Sequence, residues 1–272
     1  VQYDALKRSA NWIEAMFKRY GYAPTRQNFV IKEGYDEVNG REFTNVIAEL
    51  RGTKYPDEII VIGSHYDTVH STPGADDNAS GVAATLALAR HFSKTPQERT
   101  IRFVAFTNEE PPFFQTENMG SLRYARACEE RGENIIVMIT PEMIGYFDET
   151  PGSQEYPHGL GGLLPDTGNY IALVSNCSTQ GYLDRALSIL RKEGRIPAGS
   201  AQFPESMVPY VGFSDNWSFW QIGVPAFMVT DMSLLRNKNY HTDRDTPMTL
   251  DYVRMARVVA GLIEVTKDLA TK

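Results

Sequence analysis

Apolar positions in this chain fall into short runs cut by polar turns, and these runs alternate with stretches of helical spacing. Residues 3–20 set Leu6, Trp12, Ile13, Met16 and Phe17 near that spacing, which predicts a helix docked by its apolar face. Residues 27–32 and 44–50 are short and β-rich, and the polar stretch 34–40 between them predicts a hairpin. From there the pattern reads strand 59–63, helix 79–93, strand 101–107, helix 119–131 and strand 135–140. Such alternation is the signature of a mainly parallel sheet covered on both faces. A Gly-, Pro- and Asp-rich loop over 148–168 follows. A strand at 170–174, a helix near 179–193, a short helix at 214–221, a strand at 224–230 and a closing helix at 250–269 complete the pattern. The expected fold class is α/β, a three-layer α/β/α sandwich with a mixed, mainly parallel sheet.

The 272 residues suffice for one large domain, so a single catalytic domain over 1–272 is expected. A net charge of −7 offers no basic face for nucleic acid, and no apolar run approaches the length of a membrane span. The first 21 residues read as an amphipathic helix, neither signal peptide nor anchor. Cys128 and Cys177 are too few for a disulfide framework and are expected to be small buried hydrophobes.

Five segments carry acids or histidines suited to a metal: Gly-Ser-His65-Tyr-Asp67-Thr, Gly-Ala-Asp76-Asp77-Asn-Ala-Ser-Gly, Asn-Glu109-Glu110, Pro-Glu142-Met-Ile-Gly and Tyr-His241-Thr-Asp-Arg-Asp245. His65, Glu109, Glu110 and Glu142 each follow an apolar strand, which brings them to the sheet edge where open α/β folds bind ligands. Asp67 lies two residues beyond His65 and is expected to reach its far ring nitrogen. Asp76 and Asp77 precede a helix. One can cap it while the other bridges two metals. Adjacent Glu109 and Glu110 would repel each other unless one binds metal and the other, pointing away, serves as base to the attacking water. Glu142 sits between apolar residues, a costly place for an unpaired carboxylate. Asp243 and Asp245 are expected to support His241.

With these residues together, the chain resembles the co-catalytic zinc aminopeptidases, a family whose relatives include bacterial leucyl aminopeptidases, glutamate carboxypeptidases and glutaminyl cyclases. The resemblance runs from about Asn45 to the final helix. It rests on Pro-Gly-Ala-Asp-Asp-Asn-Ala-Ser-Gly, Asn-Glu-Glu, Ser214-Asp215-Asn-Trp and Tyr-His-Thr-Asp-Arg-Asp. It implies a zinc-exopeptidase fold and two zinc ions per chain, or one in the cyclase-like alternative. His65, Asp77, Glu110, Glu142 and His241 would be the ligands, with Asp77 bridging, and Glu109 would be the general base. Two positions depart from the family pattern. Glu142 stands where aspartate is common, and its extra rotamers predict a zinc looser by about 0.5–1 kcal/mol. Asn216 stands where histidine often follows Ser-Asp.

Tyr210 and Ser214 are candidate donors to the oxyanion or substrate. Phe113, Phe114, Phe213, Trp217, Phe219 and Trp220 flank the metal segments as candidates for an apolar pocket. The resemblance implies an aminopeptidase acting on peptides, with a cyclase-like or carboxypeptidase-like enzyme and a silent binding domain as alternatives. Carboxypeptidase action would require a basic group near the metals, and Arg102, Arg123 and Arg126 are the arginines at hand. The family also suggests a periplasmic or secreted protein, monomeric or weakly oligomeric.

Overall fold

An eight-stranded sheet forms the middle layer of the computed structural model. The structure describes residues 2–272 except 33, 36, 37, 158, 162 and 163. Its strands are β1 Thr25–Val30, β2 Glu42–Leu50, β3 Tyr55–His65, β4 Arg99–Phe106, β5 Asn134–Glu142, β6 Ile171–Ser175, β7 Ala198–Gln202 and β8 Ala226–Thr230. The helices are α1 Tyr3–Tyr20, α2 Gly81–Phe92, α3 Gly120–Glu130, α4 Gln180–Glu193, α5 Asn216–Trp220 and α6 Tyr252–Ala270. Strands β4, β3, β5 and β8 run parallel, as the βαβ pattern requires. The hairpin β1–β2 joins antiparallel to β4, β6 runs antiparallel to β8, and β7 pairs parallel with β6. The mixed, mainly parallel α/β/α sandwich is therefore the observed fold.

Side-chain alternation along the buried strands divides the core in two. Ile60, Ile62, Phe103, Val137, Ile139 and Val229 face the layer formed by α1, α2, α4 and α6. Their neighbours Ile59, Val61, Val104, Phe106 and Met138 face α3 and α5, meeting Tyr124 and Phe219. This second face is covered unevenly. Over β6 and β8, Ala172, Val174 and Met228 meet Tyr210 and Val211 of a single 3-10 turn, Pro209–Gly212, together with Val208, Phe203 and Met232.

Three expectations change. Strand β7 has no apolar run in its sequence, Ala-Gly-Ser-Ala-Gln, and exists because β6 supplies its hydrogen-bonding partner. Trp12 is 57% exposed; α1 docks through Ala10, Ile13 and Phe17 instead. Cys177 is exposed, Cys128 is buried, and both are free thiols. The 34–40 and 148–168 connections fall partly outside the described residues.

On β4, Arg102 is gripped by Glu49 at 2.7 Å and by Glu133, which Arg131 also contacts at 3.0 Å. Burial alone would raise the Glu133 carboxyl, but the two guanidinium groups outweigh it and hold it down to about 2. A carboxylate depressed on folding stabilises above its unfolded value of 4.5 and loses that contribution as pH falls through 2. Glu133→Gln should therefore destabilise the protein by about 1 kcal/mol at pH 7. The deficit should shrink below pH 4.5 in urea titrations; a pH-independent deficit would assign the loss to packing.

Candidate metal centre

His65 is the last residue of β3 and Glu142 the last of β5, so neighbouring parallel strands deliver both to the same rim. Glu109 and Glu110 lie just beyond β4, and Asp77 lies in the irregular turn between β3 and α2. That turn passes so close to β5 that a Cβ on Gly81 would sit 2.2 Å from the Pro141 carbonyl, which explains the glycine closing the Asp-Asp-Asn-Ala-Ser-Gly segment. His241 comes from the coil after β8 with φ of 56°, and Asn108 and Met143, beside Glu109 and Glu142, have φ of 59° and 46°. Backbone strain thus gathers at the segments that aim these side chains.

The side chains converge as two donor groups that share Asp77. His65, Asp77 and Glu142 form one, and Asp77, Glu110 and His241 form the other. Asp77 contributes a different oxygen to each: Oδ1 lies 3.4 Å from His65 Nε2, and Oδ2 lies 3.1 Å from His241 Nε2. Glu142 Oε2 is 3.3 Å from His65 Nε2, and Glu110 Oε2 is 3.2 Å from His241 Nε2. Glu109 Oε2 approaches His65 at 3.8 Å and belongs to neither triad.

Asp67 and Asp245 act differently from their sequence expectation. Asp67 fixes His65 through its backbone: Nδ1 donates to the Asp67 carbonyl at 3.1 Å, leaving Nε2 as the free donor atom. Its carboxylate, 3.7 Å from Nδ1, instead accepts the N–H groups of Glu109 and Glu110, each at 3.1 Å. Asp245 repeats the device without touching His241. Its two oxygens accept the N–H groups of Asp76 and Asp77 at 2.9 and 3.1 Å. Each histidine segment therefore carries an aspartate that clamps the backbone of another ligand-bearing segment.

Ser214 and Asn78 both donate to Glu142 Oε2, at 2.7 and 2.8 Å. The Ser214 hydroxyl, a candidate donor to the oxyanion or substrate, is here engaged by that carboxylate. Asn78 went unnoticed in the sequence, although its place beside two aspartates marks it. Asp76 points away from the triads, accepting from Gly145 and Asn237, and burial raises its carboxyl beside Asp231. Asn216 donates to the Val211 carbonyl at 2.9 Å, so this departure from the family pattern leaves both triads untouched.

Glu109, Glu110, Glu142 and Asp77 are all at most 6% exposed. Burial raises the Glu109 carboxyl well above its usual range and Glu110 to about 7, with neighbouring carboxylates adding to the effect. Burial would raise Asp77 too, but His241 and His65 hold it at about 2. Glu110 Oε1 and His241 Nε2 are buried with no hydrogen-bond partner among the described residues. Orphaned carboxylate and imidazole atoms facing one point are what a cation satisfies, and this nitrogen–oxygen donor set suits zinc.

The triads open into a cavity of about 740 Å³ that Tyr210, Phe114 and Phe213 also line. Phe113 and Phe219 are core residues instead, and Trp220 packs behind β8. Tyr240, another residue missed in the sequence, lines the cavity with its ring stacked on His241 at 3.7 Å. Burial and the surrounding carboxylates raise its phenol far above the usual value, so it stays a proton donor. Arg102, Arg123 and Arg126 are spent elsewhere, on Glu133, Asn118 and Glu117.

Fold and donor set together define a metallopeptidase. A model of peptidase family M28 matches residues 45–266. YfbL of Escherichia coli (strain K12) is 38% identical over 269 residues, covering 96% of this chain and 79% of that protein. Legionella pneumophila LapA superposes with a TM-score of 0.73 at 20% identity, over 97% of this chain and 67% of LapA. Porphyromonas gingivalis glutaminyl cyclase does so with 0.70 at 18% identity, over 97% and 89%. These two structural likenesses establish the fold. The chain belongs to peptidase family M28.

Removing the Asp245 clamp should weaken metal binding about 10–100-fold, since the shared carboxylate loses its backbone anchor. Asp245→Ala competed against a chromogenic chelator measures this directly, and unchanged affinity would make the clamp incidental.

Proposed function

We propose that the protein is an aminopeptidase that uses two zinc ions to release N-terminal residues from peptides. The observation supporting this reading is the pair of donor triads with Asp77 in common, beside a buried carboxylate that neither triad uses. His65, Asp77 and Glu142 would hold one ion, and Asp77, Glu110 and His241 the other. Bound there, zinc supplies Lewis-acid polarisation of the scissile carbonyl and makes water easier to deprotonate.

The chain's own groups handle the protons. Glu109 accepts the proton of the attacking water and delivers it to the leaving amine. Tyr240 lines the same cavity, and its hydroxyl would donate to the carbonyl oxygen as charge develops. Polar character at this end of the cavity is acidic, which suits a substrate's free ammonium. Arg191 is the one Lys or Arg among the described lining residues, and its Nε is engaged by the Ala198 carbonyl. That distribution favours an aminopeptidase over a carboxypeptidase, which must bind a terminal carboxylate. The second triad likewise favours a two-metal hydrolase over a cyclase-like enzyme with one zinc.

Zinc-loaded protein should hydrolyse leucyl or arginyl peptides faster than it cyclises a glutaminyl peptide, and the reverse ranking would support the cyclase. Glu109→Gln should lower kcat by about 10²–10⁴ while metal content stays at the wild-type level, because an amide keeps the shape but accepts no proton. Wild-type kcat at full metal occupancy would remove Glu109 from the reaction. Chelation should lower Tm, and restoring zinc to about 100 times its Kd should return about 2.7 kcal/mol per site. A melting curve indifferent to chelation would argue against the metal reading.

A further inference from the structure

The cavity beside the metal centre extends well past the space that a leucyl side chain fills. Its floor is the β8–β6–β7 end of the sheet. Across that floor, Thr230, Ala172 and Gly199 stand side by side on β8, β6 and β7, and Glu142 on β5 pairs with Thr230. A single row therefore runs from a metal-facing carboxylate to the edge strand. With neighbouring strands ~4.8 Å apart, it covers ~14 Å. The next row, Met228, Val174 and Ala201, runs parallel to it.

Toward the edge strand the first row is built from small residues, Ala172 and Gly199. A Cβ on Gly199 would meet only the Tyr170 ring, at 3.9 Å. On the opposite face of β6, Ile171 and Leu173 are buried in the core against the helical layer. The mouth is apolar as well: Leu164, Leu234 and Phe213 line the cavity while remaining 46%, 40% and 39% exposed. Large apolar side chains left in water around a cavity mark a surface that meets an apolar ligand.

We propose that this cavity receives an extended, unbranched apolar chain, carried by the amide substrate on one side of the scissile bond and longer than a leucyl side chain. The inference rests on the metallopeptidase reading of the neighbouring triads. The chain lies along the Thr230–Ala172–Gly199 row, with its reacting amide at the Glu142 end.

Two peptide series on the zinc-loaded protein test this, X-Ala-Ala and Leu-X-Ala, with X as alanine, leucine, phenylalanine or L-2-aminodecanoic acid. In one series kcat/KM should rise at least about tenfold from leucine to the eight-carbon side chain, since each added methylene gains burial. That series identifies which side of the bond carries the chain. A plateau or fall beyond leucine in both series overturns the proposal. Calorimetric binding of L-2-aminodecanoic acid and L-leucine reads the cavity without turnover. Wild type should bind the longer amino acid at least about tenfold more tightly. The advantage should collapse in Gly199→Val and in Ala201→Leu, which fill the floor from the tolerant edge strand. Equal binding of the two amino acids overturns it too. If neither series is cleaved, the peptidase reading fails, and the calorimetric comparison still decides what the cavity holds.

Discussion

Buried negative charge at the carboxyl ends of the parallel strands governs this structure. Asp76, Asp77, Glu109, Glu110, Glu142, Asp215 and Asp231 are all at most 6% exposed. An unpaired carboxylate in such surroundings costs several kcal/mol, so every local feature must answer it. Backbone N–H groups answer for Asp67 and Asp245, side-chain amide and hydroxyl donors for Glu142, and two histidines for Asp77. Burial raises Asp215 to about 7, which leaves it partly neutral near physiological pH. The charge that these partners leave unmet, on Glu110 above all, faces one point and is what cations would neutralise. The site is therefore also part of the folding energetics, because the loops bearing the acids are tied together only when their charge is compensated.

The paired clamps show how that compensation becomes geometry. Asp67 lies near His65 in sequence but holds Glu109 and Glu110, and Asp245 lies near His241 but holds Asp76 and Asp77. In each case the aspartate spans two successive N–H groups with two oxygens, which restrains the orientation of two consecutive peptide planes and not merely a distance. Side chains issuing from those planes inherit their orientation. Glu109 and Glu110 thereby diverge, one toward His65 and the other toward His241.

Strand ends were legible in the sequence because a run such as Ile-Ile-Val-Ile-Gly-Ser-His states both the strand and the residue it delivers to the rim. His65 and Glu142 reach the rim for that reason, and Glu110 lies just beyond β4. Contacts between segments were not legible. Nothing near Asp67 says that its carboxylate will turn to a loop 42 residues on, or near Asp245 that it will reach back 168 residues. Proximity suggested the adjacent histidines, and for Asp67 it was half right, through the carbonyl rather than the carboxylate. Edge strand β7 and the exposed Trp12 escaped for a related reason: pairing with β6 and the angle at which α1 docks are tertiary outcomes that local apolar spacing does not encode. The aromatic segments misled in the same way. Phe113 and Phe114 are adjacent, yet one packs into a core cluster with Phe43 and the other faces the cavity.

Glu142 shows how a longer carboxylate can be supported at the candidate site. A glutamate in place of the commoner aspartate has one more torsion to freeze, which by itself would loosen its hold. Here Asn78 and Ser214 both donate to the oxygen that faces His65, so the rotamer is selected by two buried hydrogen bonds rather than by a metal alone. Asn78 follows the shared Asp77, and its side-chain oxygen accepts from the backbone of Gly81 and Met143. A single amide thus ties the bridging segment, the start of α2 and the end of β5 into one unit. The longer side chain meets that support at the distance its extra methylene sets, and the entropy it must give up is offset within the protein before any ion binds.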